Sequence, residues 1–478
     1  MKRFTLVLLS ATAISGALAG CSVGPNYHRP DAPVEQHFTA SEGWTPATPA
    51  DQVEKSAWWR VYNDPVLDGL EQKVVINNQN VAQAEAVVRQ MQATVAEDRA
   101  ALWPTLGLTF GASRSGGSGA AAGTAGGTAT TGTTNGNRFS AGLDAAWSID
   151  IWGKVRREIE QAKANTEASK ADLANAVLSA QATLAIAYFD LRATEEQQRL
   201  TKATVDNYQK ALTLTQNQYK VGVAQRSDVL QAQSQLSTAQ AGLADLDLTR
   251  GQYLHSIAVL IGTTPDQVDV ATGPLATVVP VVPTGVPSQL LQRRPDIASS
   301  ERAVAAANAA VGIAETAFFP TLDLSASDTA SASTLSKLFS AHNSTWSIGA
   351  DVADTLIEFG ARSAAVKGAK AGYDGAVAKY RETVLEAFQG TEDNLLALRV
   401  LEGEQGLREQ AEQEARQAEQ IELNNYKVGT VAYSSVITAQ NTTFTAMIST
   451  LTVRKSRLEA SVNLIEDLGG GWDDGQLK

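Results

Sequence analysis

The feature that most constrains this chain is an internal duplication, in which one half returns in the other at a fixed offset. Tyr-Lys-Val-Gly at 219–222 recurs at 426–429, which is 207 positions later. Trp-Pro-Thr-Leu at 103–106 recurs as Phe-Pro-Thr-Leu at 319–322, which is 216 positions later. The nine-residue difference falls in a Gly/Ser/Thr/Ala-rich stretch between 108 and 142, which is typical of a surface loop. A repeat this long predicts a duplicated half-protein rather than a solenoid unit.

The distribution of the 14 prolines predicts very long helices. No proline lies between Pro104 and Pro265, and none follows Pro320. A proline inside a helix costs about 3 kcal/mol, so long proline-free runs rich in Ala, Gln, Glu, Leu and Lys favour helix. The runs 152–262 and 358–466 each predict a pair of antiparallel helices. A helix of almost 70 residues spans roughly 100 Å and is stable only when packed against others along its length.

The N-terminus has the pattern of an export signal that ends at a cysteine. Residues 1–20 carry a basic start and an apolar stretch, and Leu-Ala-Gly precedes Cys21. This resembles the bacterial lipobox, which implies cleavage before Cys21 and its modification by diacylglycerol and an N-acyl chain. The alternative is an ordinary signal peptide that happens to contain a cysteine. Cys21 is the only cysteine, so neither a disulfide nor a thiolate metal site is expected.

Four short segments alternate between apolar and polar residues, which predicts two strand hairpins at 104–150 and 320–354. They fit either a soluble sandwich or a transmembrane barrel with an apolar outside and a wet lumen. The barrel is favoured because the polar faces are small or acidic. Four strands cannot close a barrel, so two or three copies would have to share one. The predicted lumen carboxylates, which would attract cations, are Asp144, Asp323 and Asp351.

Charge and composition exclude other classes of function. The net charge of −12 argues against nucleic acid as a partner. No apolar stretch of about 20 residues follows the signal, so no transmembrane helix is predicted. The four histidines are scattered without a metal-ligand spacing or a nucleophile motif, so we expect no enzyme, no metal and no cofactor.

Several further motifs, in order along the chain, resemble those of the TolC-like outer-membrane efflux proteins, in the lipidated OprM/NodT-type branch that serves resistance-nodulation-division (RND) pumps. They are Gly-Pro-Asn-Tyr at 24–27, Trp-Trp at 58–59 with Asp-Pro at 64–65, Arg-Arg-Pro-Asp-Ile at 293–297, and Gly-Gly-Gly-Trp at 469–472. The resemblance implies a mainly α fold with a transmembrane β-barrel. In it a homotrimer shares a twelve-stranded barrel, continuous with a long periplasmic α-helical barrel. It also implies three kinds of partner: a periplasmic membrane-fusion adaptor, an inner-membrane RND transporter and outer-membrane lipid.

The same resemblance assigns a role to each part of the chain. The predicted divisions are a signal peptide at 1–20, a lipid-anchored segment and equatorial wrap at 21–65, a first repeat at 66–262, a proline-rich connector at 263–290, a second repeat at 291–466 and a tail at 467–478.

The two Tyr-Lys-Val-Gly turns are the principal candidate sites. Glycine adopts the positive φ that such a helix end requires. By resemblance the turns form periplasmic tips that contact the adaptor, through Val221, Gly222, Val223, Val428, Gly429 and Thr430. The family often places acidic rings six and nine residues after the second glycine, whereas Ser435 and Thr438 stand there in this chain. A tip gate or interhelical latch through Arg226 or Asp228 is a further hypothesis.

These features predict an outer-membrane exit duct of a tripartite efflux system, extending into the periplasm. The nearest rival is the duct of a type I secretion system. From a different class, the chain would be a structural coiled-coil envelope lipoprotein without a pore. The compounds exported are not indicated by the sequence.

Overall fold

The computed structural model describes residues 22–33, 57–116, 136–280 and 293–470. Several sequence-based assignments lie outside these residues: the signal peptide at 1–20, Cys21, the stretch 34–56 of the wrap, the low-complexity stretch at 117–135, residues 281–292 of the connector and the tail at 471–478.

The described chain is mainly helical with one sheet, as the sequence predicts. Its long elements are α1 (Pro65–Asn77), α2 (Gln79–Ala100), β1 (Thr105–Ser115), β2 (Gly136–Ser148), α3 (Lys154–Lys220), α4 (Arg226–Leu260), α5 (Pro295–Thr316), β3 (Thr321–Ala332), β4 (Ser344–Ala353), α6 (Ala361–Lys427) and α7 (Tyr433–Asp467). Among the described helices, none combines the length and the apolar character needed to cross a membrane.

The helix lengths reproduce the duplication residue for residue. Helices α3 and α6 each have 67 residues, and α4 and α7 each have 35. At 1.5 Å per residue the longer pair spans about 100 Å. The proline-free composition permits this length because every interior residue retains its backbone N–H donor.

The four strands form one antiparallel sheet in the order β1-β2-β3-β4. The central pairing, β2 with β3, joins the two halves of the duplication. The connection between paired strands spans 20 residues in the first hairpin and 11 in the second, so it contains the nine extra residues of the first half. Within this sheet, β1 and β4 each leave one edge without a strand partner.

The chain divides into two compact units that cut across the duplication. The first contains 1–30, 90–166 and 302–377, and it holds the sheet with the adjoining helix ends. The second contains 31–89, 167–301 and 378–478. Each unit therefore draws on both halves of the sequence.

In the second unit, the residues before α1 are buried against α3. Trp58 and Trp59 are buried and pack edge to face with their ring centroids 6.0 Å apart. Asp64 caps α1 by accepting the N–H of Val66 at 2.9 Å, and it accepts the hydroxyl of Tyr188 on α3 at 2.5 Å. One carboxylate thus starts a helix and attaches it to another.

An ionic network in the second unit attaches the start of the connector to the long helices. The buried carboxylate of Glu195 accepts hydrogen bonds from Arg192 at 2.7 Å, from Arg250 at 2.9 Å and from the N–H of Gly273 at 3.1 Å. Arg192 also donates to the carbonyl of Ala271 at 2.7 Å. Arg192, Arg250 and the backbone N–H of Gly273 all donate to Glu195, so its buried charge has several hydrogen-bond partners.

Glu71 on α1 is also a buried carboxyl group but, unlike Glu195, it lacks hydrogen-bond partners. It is 0% exposed, and neither carboxyl oxygen has a hydrogen-bond partner. Burial raises the pKa of Glu71 to about 9, and the nearby Asp68 carboxylate adds to the rise. The side chain is therefore protonated at neutral pH in the folded protein and ionised in the unfolded chain.

We predict that Glu71→Gln stabilises the protein progressively as the pH rises. Since the pKa in the folded state is raised, the contribution of Glu71 to stability is complete below about pH 4.5 and is lost as the pH rises towards 9. Thermal unfolding in detergent near pH 5 and near pH 8 measures the effect. The exposed Glu85→Gln on α2 is the control. An equal advantage of Glu71→Gln at both pH values would contradict the prediction.

Candidate functional site

The first Tyr-Lys-Val-Gly turn ends α3 in a Schellman motif. Gly222 has φ +80°, in the left-handed region that favours glycine. Its N–H donates to the carbonyl of Tyr219 at 3.0 Å, and the N–H of Val223 donates to the carbonyl of Gln218 at 2.8 Å. These two bonds satisfy carbonyls at the helix end, so the turn has a defined backbone conformation.

The second turn repeats this geometry at the end of α6. Gly429 has φ +78° and its N–H donates to the carbonyl of Tyr426 at 3.0 Å. The N–H of Thr430 donates to the carbonyl of Asn425 at 3.0 Å, and the Thr430 hydroxyl donates to the same carbonyl at 2.9 Å. The predicted positive φ is therefore present at both glycines.

Both turns carry exposed valines. Val221 is 75% exposed and Val428 is 74% exposed, and Val223 is exposed to a similar extent. An added Cβ would meet nothing within 4 Å at Gly222 or Gly429, so the backbone there is also open. Apolar side chains on a backbone of fixed geometry are suited to protein contact.

A core behind the turns, here called the tip cluster, joins the four long helices of the second unit. Its buried members are Tyr208, Ala211, Leu212, Ala232, Leu236, Tyr426, Tyr433 and Val436. The Tyr426 hydroxyl donates to Gln218 at 2.5 Å, and the rings of Tyr426 and Tyr433 lie 5.3 Å apart. Burial raises the pKa of Tyr433 to about 12, so its hydroxyl stays neutral. The cluster fixes the two turns to one another.

The residues of the hypothetical tip gate have local contacts in the structure. Asp228 forms a capping box at the start of α4, where it accepts the N–H of Gln225 at 3.0 Å. Arg226 is exposed in the same first turn. Ser435 is half-buried, and the Thr438 hydroxyl donates to the carbonyl of Ser434 at 3.0 Å.

The sheet has one small, polar face, as the alternation predicts. Asp323 on β3 lies directly opposite Asp351 on β4, so both carboxylates project from the same face. Asp144 on β2 lies opposite Ser327 on β3 and thus shares that face. The Ser148 hydroxyl donates to Asp323. Like charges directly opposite each other are destabilising unless water or cations screen them.

The other face is apolar and exposed. Leu106, Leu108 and Phe110 on β1 project from it, and Trp346, Ile348 and Val352 do so on β4. Asp328 on β3 is the exception, since it lies opposite Leu143 and Trp346 and accepts the hydroxyl of Ser344 at 2.5 Å.

A buried arginine, which the motif analysis missed, holds the residues that follow Cys21. The Arg157 side chain is 4% exposed. It donates to the carbonyls of Val23 at 3.1 Å and Gly24 at 3.0 Å, to the Asn26 side chain at 3.1 Å, and to Glu160 at 2.6 Å. The Gly-Pro-Asn-Tyr motif is therefore a binding segment for Arg157.

Close backbone packing completes this attachment, which we call the anchor clamp (residues 22–27 with Arg157). Gly24 has φ +95° and lies so close to Gly312 on α5 that a Cβ would collide with it. Gly153 lies against Ser22, and the N–H of Val23 donates to the carbonyl of Trp152 at 3.0 Å. The sequence contained one sign that Arg157 has a special role, because the duplication does not repeat it. The position 207 residues after Arg157 is Ala364.

Among the described residues, no three His, Cys, Asp or Glu side chains cluster as they would to hold a metal ion. The features that stand out are therefore the two tips, the two faces of the sheet and the anchor clamp.

Comparison with known proteins identifies the family. The model of the family "Outer membrane efflux protein" matches residues 70–263 and 286–470. The pyoverdine export outer membrane protein OpmQ of Pseudomonas aeruginosa is 32% identical, over 99% of this chain and 98% of its own length. The toluene efflux pump outer membrane protein TtgC of Pseudomonas putida is 30% identical, over 98% of this chain and 96% of its own length.

A solved structure agrees with these matches. The outer-membrane channel OprN superposes with a TM-score of 0.84 at 28% identity, and the match covers 95% of this chain and all of that one. The resemblance drawn from the motifs is thereby confirmed. The chain belongs to the outer membrane efflux protein family, has the TolC-like fold, and acts as an efflux channel of the outer membrane.

Proposed function

We propose that this protein is the exit duct of a tripartite RND-type system, built as a homotrimer and docked to a periplasmic adaptor and an inner-membrane RND transporter. It conducts small toxic compounds passively to the exterior and carries out no chemistry of its own. The observation that carries the proposal is the pair of open edges at β1 and β4 of a sheet whose apolar face is exposed.

The open edges support a shared barrel. The strands have 10 to 13 residues, enough to cross a hydrocarbon layer of about 30 Å. Inside such a layer an unpaired edge leaves N–H and C=O groups without partners, at a cost of several kcal/mol each. Three copies with four strands each close a ring of twelve, with the polar face towards the lumen.

Helix α6 of the second half carries an exposed apolar stripe, whereas the matching positions on α3 of the first half are buried. Leu385, Leu396 and Leu407 recur every 11 residues, so they lie on one side of the helix, and all three are exposed. Their counterparts on α3 include Leu178 and Phe189, which are buried. A stripe that is covered in one repeat and bare in the other fits a contact with another copy.

The two tips support docking to the adaptor. Val221 and Val428 are exposed apolar residues held by a Schellman turn and the tip cluster, so binding them costs little ordering entropy. Gly222 and Gly429 provide close backbone access between them.

The anchor clamp supports lipidation of Cys21. It fixes Ser22 against Gly153, which lies five residues after the end of β2. A diacylglycerol and an N-acyl chain on Cys21 would thus leave the protein close to the end of a membrane-crossing strand. Two or more acyl chains are what stable anchoring requires.

The exported compounds are not restricted to one chemical class on this proposal. One relative is named for pyoverdine export, another for toluene efflux, and another is the cation efflux system protein CusC of Escherichia coli. In a tripartite system the inner-membrane pump selects the compound, which fits a duct whose described lining is small and polar.

We predict that Val221→Glu with Val428→Glu abolishes efflux without dissolving the trimer. A buried charge at a contact hot spot costs about 2 kcal/mol or more, or roughly thirty-fold in adaptor affinity. Sensitivity of a deletion strain carrying the variant to a panel of toxic compounds measures efflux, and bilayer conductance confirms the pore. The control is Val278→Glu in the connector, which is equally exposed. Wild-type tolerance with both tip valines replaced would contradict adaptor docking.

We predict a weak cation preference that depends on the polar face. Replacing Asp144, Asp323 and Asp351 with Asn should reduce it, because unpaired carboxylates raise the local cation concentration in a wet pore. Reversal potentials in a salt gradient across planar bilayers provide the measurement. Asp328→Asn, on the opposite face, is the matched control and should leave selectivity unchanged. A wild-type preference for anions would contradict the assignment of the polar face, which carries Asp144, Asp323 and Asp351, to the lumen.

We predict that Arg157→Ala releases the anchor clamp while Cys21 is still lipidated. The hydrogen bonds lost involve a charged donor and contribute about 1.5–3 kcal/mol each. Trypsin should then cleave faster near Arg29 in the detergent-solubilised protein. Lys154→Ala, an exposed change one turn earlier, serves as the control. Equal cleavage rates in the two variants would show that Arg157 does not hold the segment.

A further inference from the structure

A groove between α3, α4 and α7 in the second unit, here called the wall groove, has the size of a small-molecule site. Its volume is about 420 Å³, within the range of cavities that bind small ligands. The residues that line it include Thr201, Tyr208, Gly242, Asp245 and Phe444. Passive conduction does not require a binding site in the wall of a duct, so this groove points to a further property.

The wall groove carries a negative charge that its surroundings do not neutralise. Asp245 on α4 is exposed, and no described residue pairs with its carboxylate. Among the described residues that line the groove there is neither lysine nor arginine. The half-buried ring of Phe444 on α7 provides an aromatic surface in the same groove. A carboxylate and an aromatic ring both attract a cation, the first through its charge and the second through its quadrupole.

The wall groove also has one buried hydroxyl group without a partner. Thr201 on α3 is 4% exposed, and no described residue forms a hydrogen bond with its hydroxyl. The other hydroxyl groups that line the groove each donate a hydrogen bond at 3.0 Å, and they belong to Thr204, Thr238, Thr249 and Tyr208. Buried polar groups are nearly always hydrogen-bonded, so this hydroxyl favours a polar group on the molecule that binds next to it.

The duplication provides a second groove with a different charge pattern, here called the matching groove. It lies between α6 and α7, and most of its lining residues come 207 positions after those of the wall groove. Arg408 stands there in the position of Thr201, and Thr452 in that of Asp245. Arg408 donates two hydrogen bonds to Glu404, at 2.9 and 3.0 Å. The carboxylate of the matching groove is thus neutralised, whereas that of the wall groove is not.

We propose that the wall groove binds small aromatic cations, with Asp245 pairing with the positive charge and Phe444 packing against the ring system. The occupant is a single small molecule because the volume of the groove matches one. The matching groove excludes the same ligand, because Arg408 repels a cation. The inference goes beyond the proposed function, since it depends neither on the number of copies nor on the adaptor.

Titration with ethidium, a planar aromatic cation, tests the proposal in the detergent-solubilised protein. Ethidium fluorescence rises when the dye is sheltered from water, so it reports binding. Asp245→Asn should weaken binding about threefold to fivefold, because an ion pair at an exposed site contributes a factor of this order. Glu404→Gln, which removes the carboxylate of the matching groove, is the control and should leave binding unchanged.

A second test fills the wall groove without changing its charge. Gly242 lies inside α4, and an added Cβ there would meet nothing within 4 Å, so Gly242→Leu should fold. It should weaken ethidium binding about tenfold or more, because the new side chain occupies the cavity. Ser449→Leu, at the corresponding position of the matching groove, is the control and should bind ethidium as the wild type does.

Phenanthridine, the uncharged parent ring of ethidium, separates charge from packing. It should displace ethidium only weakly, and Asp245→Asn should not change its affinity, because it carries no charge for the carboxylate to attract. Equal affinities of phenanthridine and ethidium for the wild type would overturn the assignment of Asp245.

The remaining outcomes separate this inference from the proposed function. Equal ethidium binding by the wild type, Asp245→Asn and Gly242→Leu would show non-specific binding only and would overturn the proposal. Failure of the wild type to bind ethidium would also overturn it. If Gly242→Leu then still abolished efflux, a protein partner would be the better occupant. Conductance of the pore enters none of these measurements, so the inference can fail while the duct stands.

Discussion

Backbone hydrogen bonding at the edges of the sheet is the constraint on which the rest of this structure depends. Among the strands that the structure describes, β2 and β3 are paired on both sides, while β1 and β4 each have one edge without a strand partner. Water can satisfy the N–H and C=O groups of such an edge, but hydrocarbon cannot. This difference is the ground on which we propose that several copies of the chain share one barrel. The exposed apolar face of the sheet is consistent with the same setting.

The long helices solve a different problem, which is to support the two turns at the ends of helices of 67 residues, each about 100 Å long. Propensity alone does not stabilise such helices, so they depend on packing along their length. The tip cluster provides that packing where the chain reverses, and the Glu195 network provides it where the connector begins. The exposed valines are thereby presented by a scaffold with little freedom of its own.

The sequence was most informative where a pattern is local and repeated. The alternation of apolar residues and the absence of proline placed the strands and helices within a few residues, and each glycine of the two turns has the positive φ expected of it. Tertiary charge placement was not predictable in the same way. Arg192 is buried in a network, while its counterpart Arg399 is exposed. Arg192 donates to the hydroxyl of Tyr188, whereas Leu395 occupies the position that matches Tyr188. Arg157 was not predicted because most of its hydrogen-bond partners lie at 23–26, far from it in the sequence. Glu71 was not predicted because its burial without a hydrogen-bond partner depends on segments distant in the sequence.

The joint between β2 and β3 has a consequence for how such a ring arose. A single half, with two strands and one pair of long helices, would need six copies to build the ring proposed for three. Fusing two halves turns every second joint into a covalently linked one and frees the halves to diverge. Arg157 shows that divergence, since it binds the N-terminal segment while Ala364 occupies the matching position of the second half. In the ring proposed above, the two kinds of half would alternate, and the lipid anchor proposed at Cys21 would occur once for every two halves.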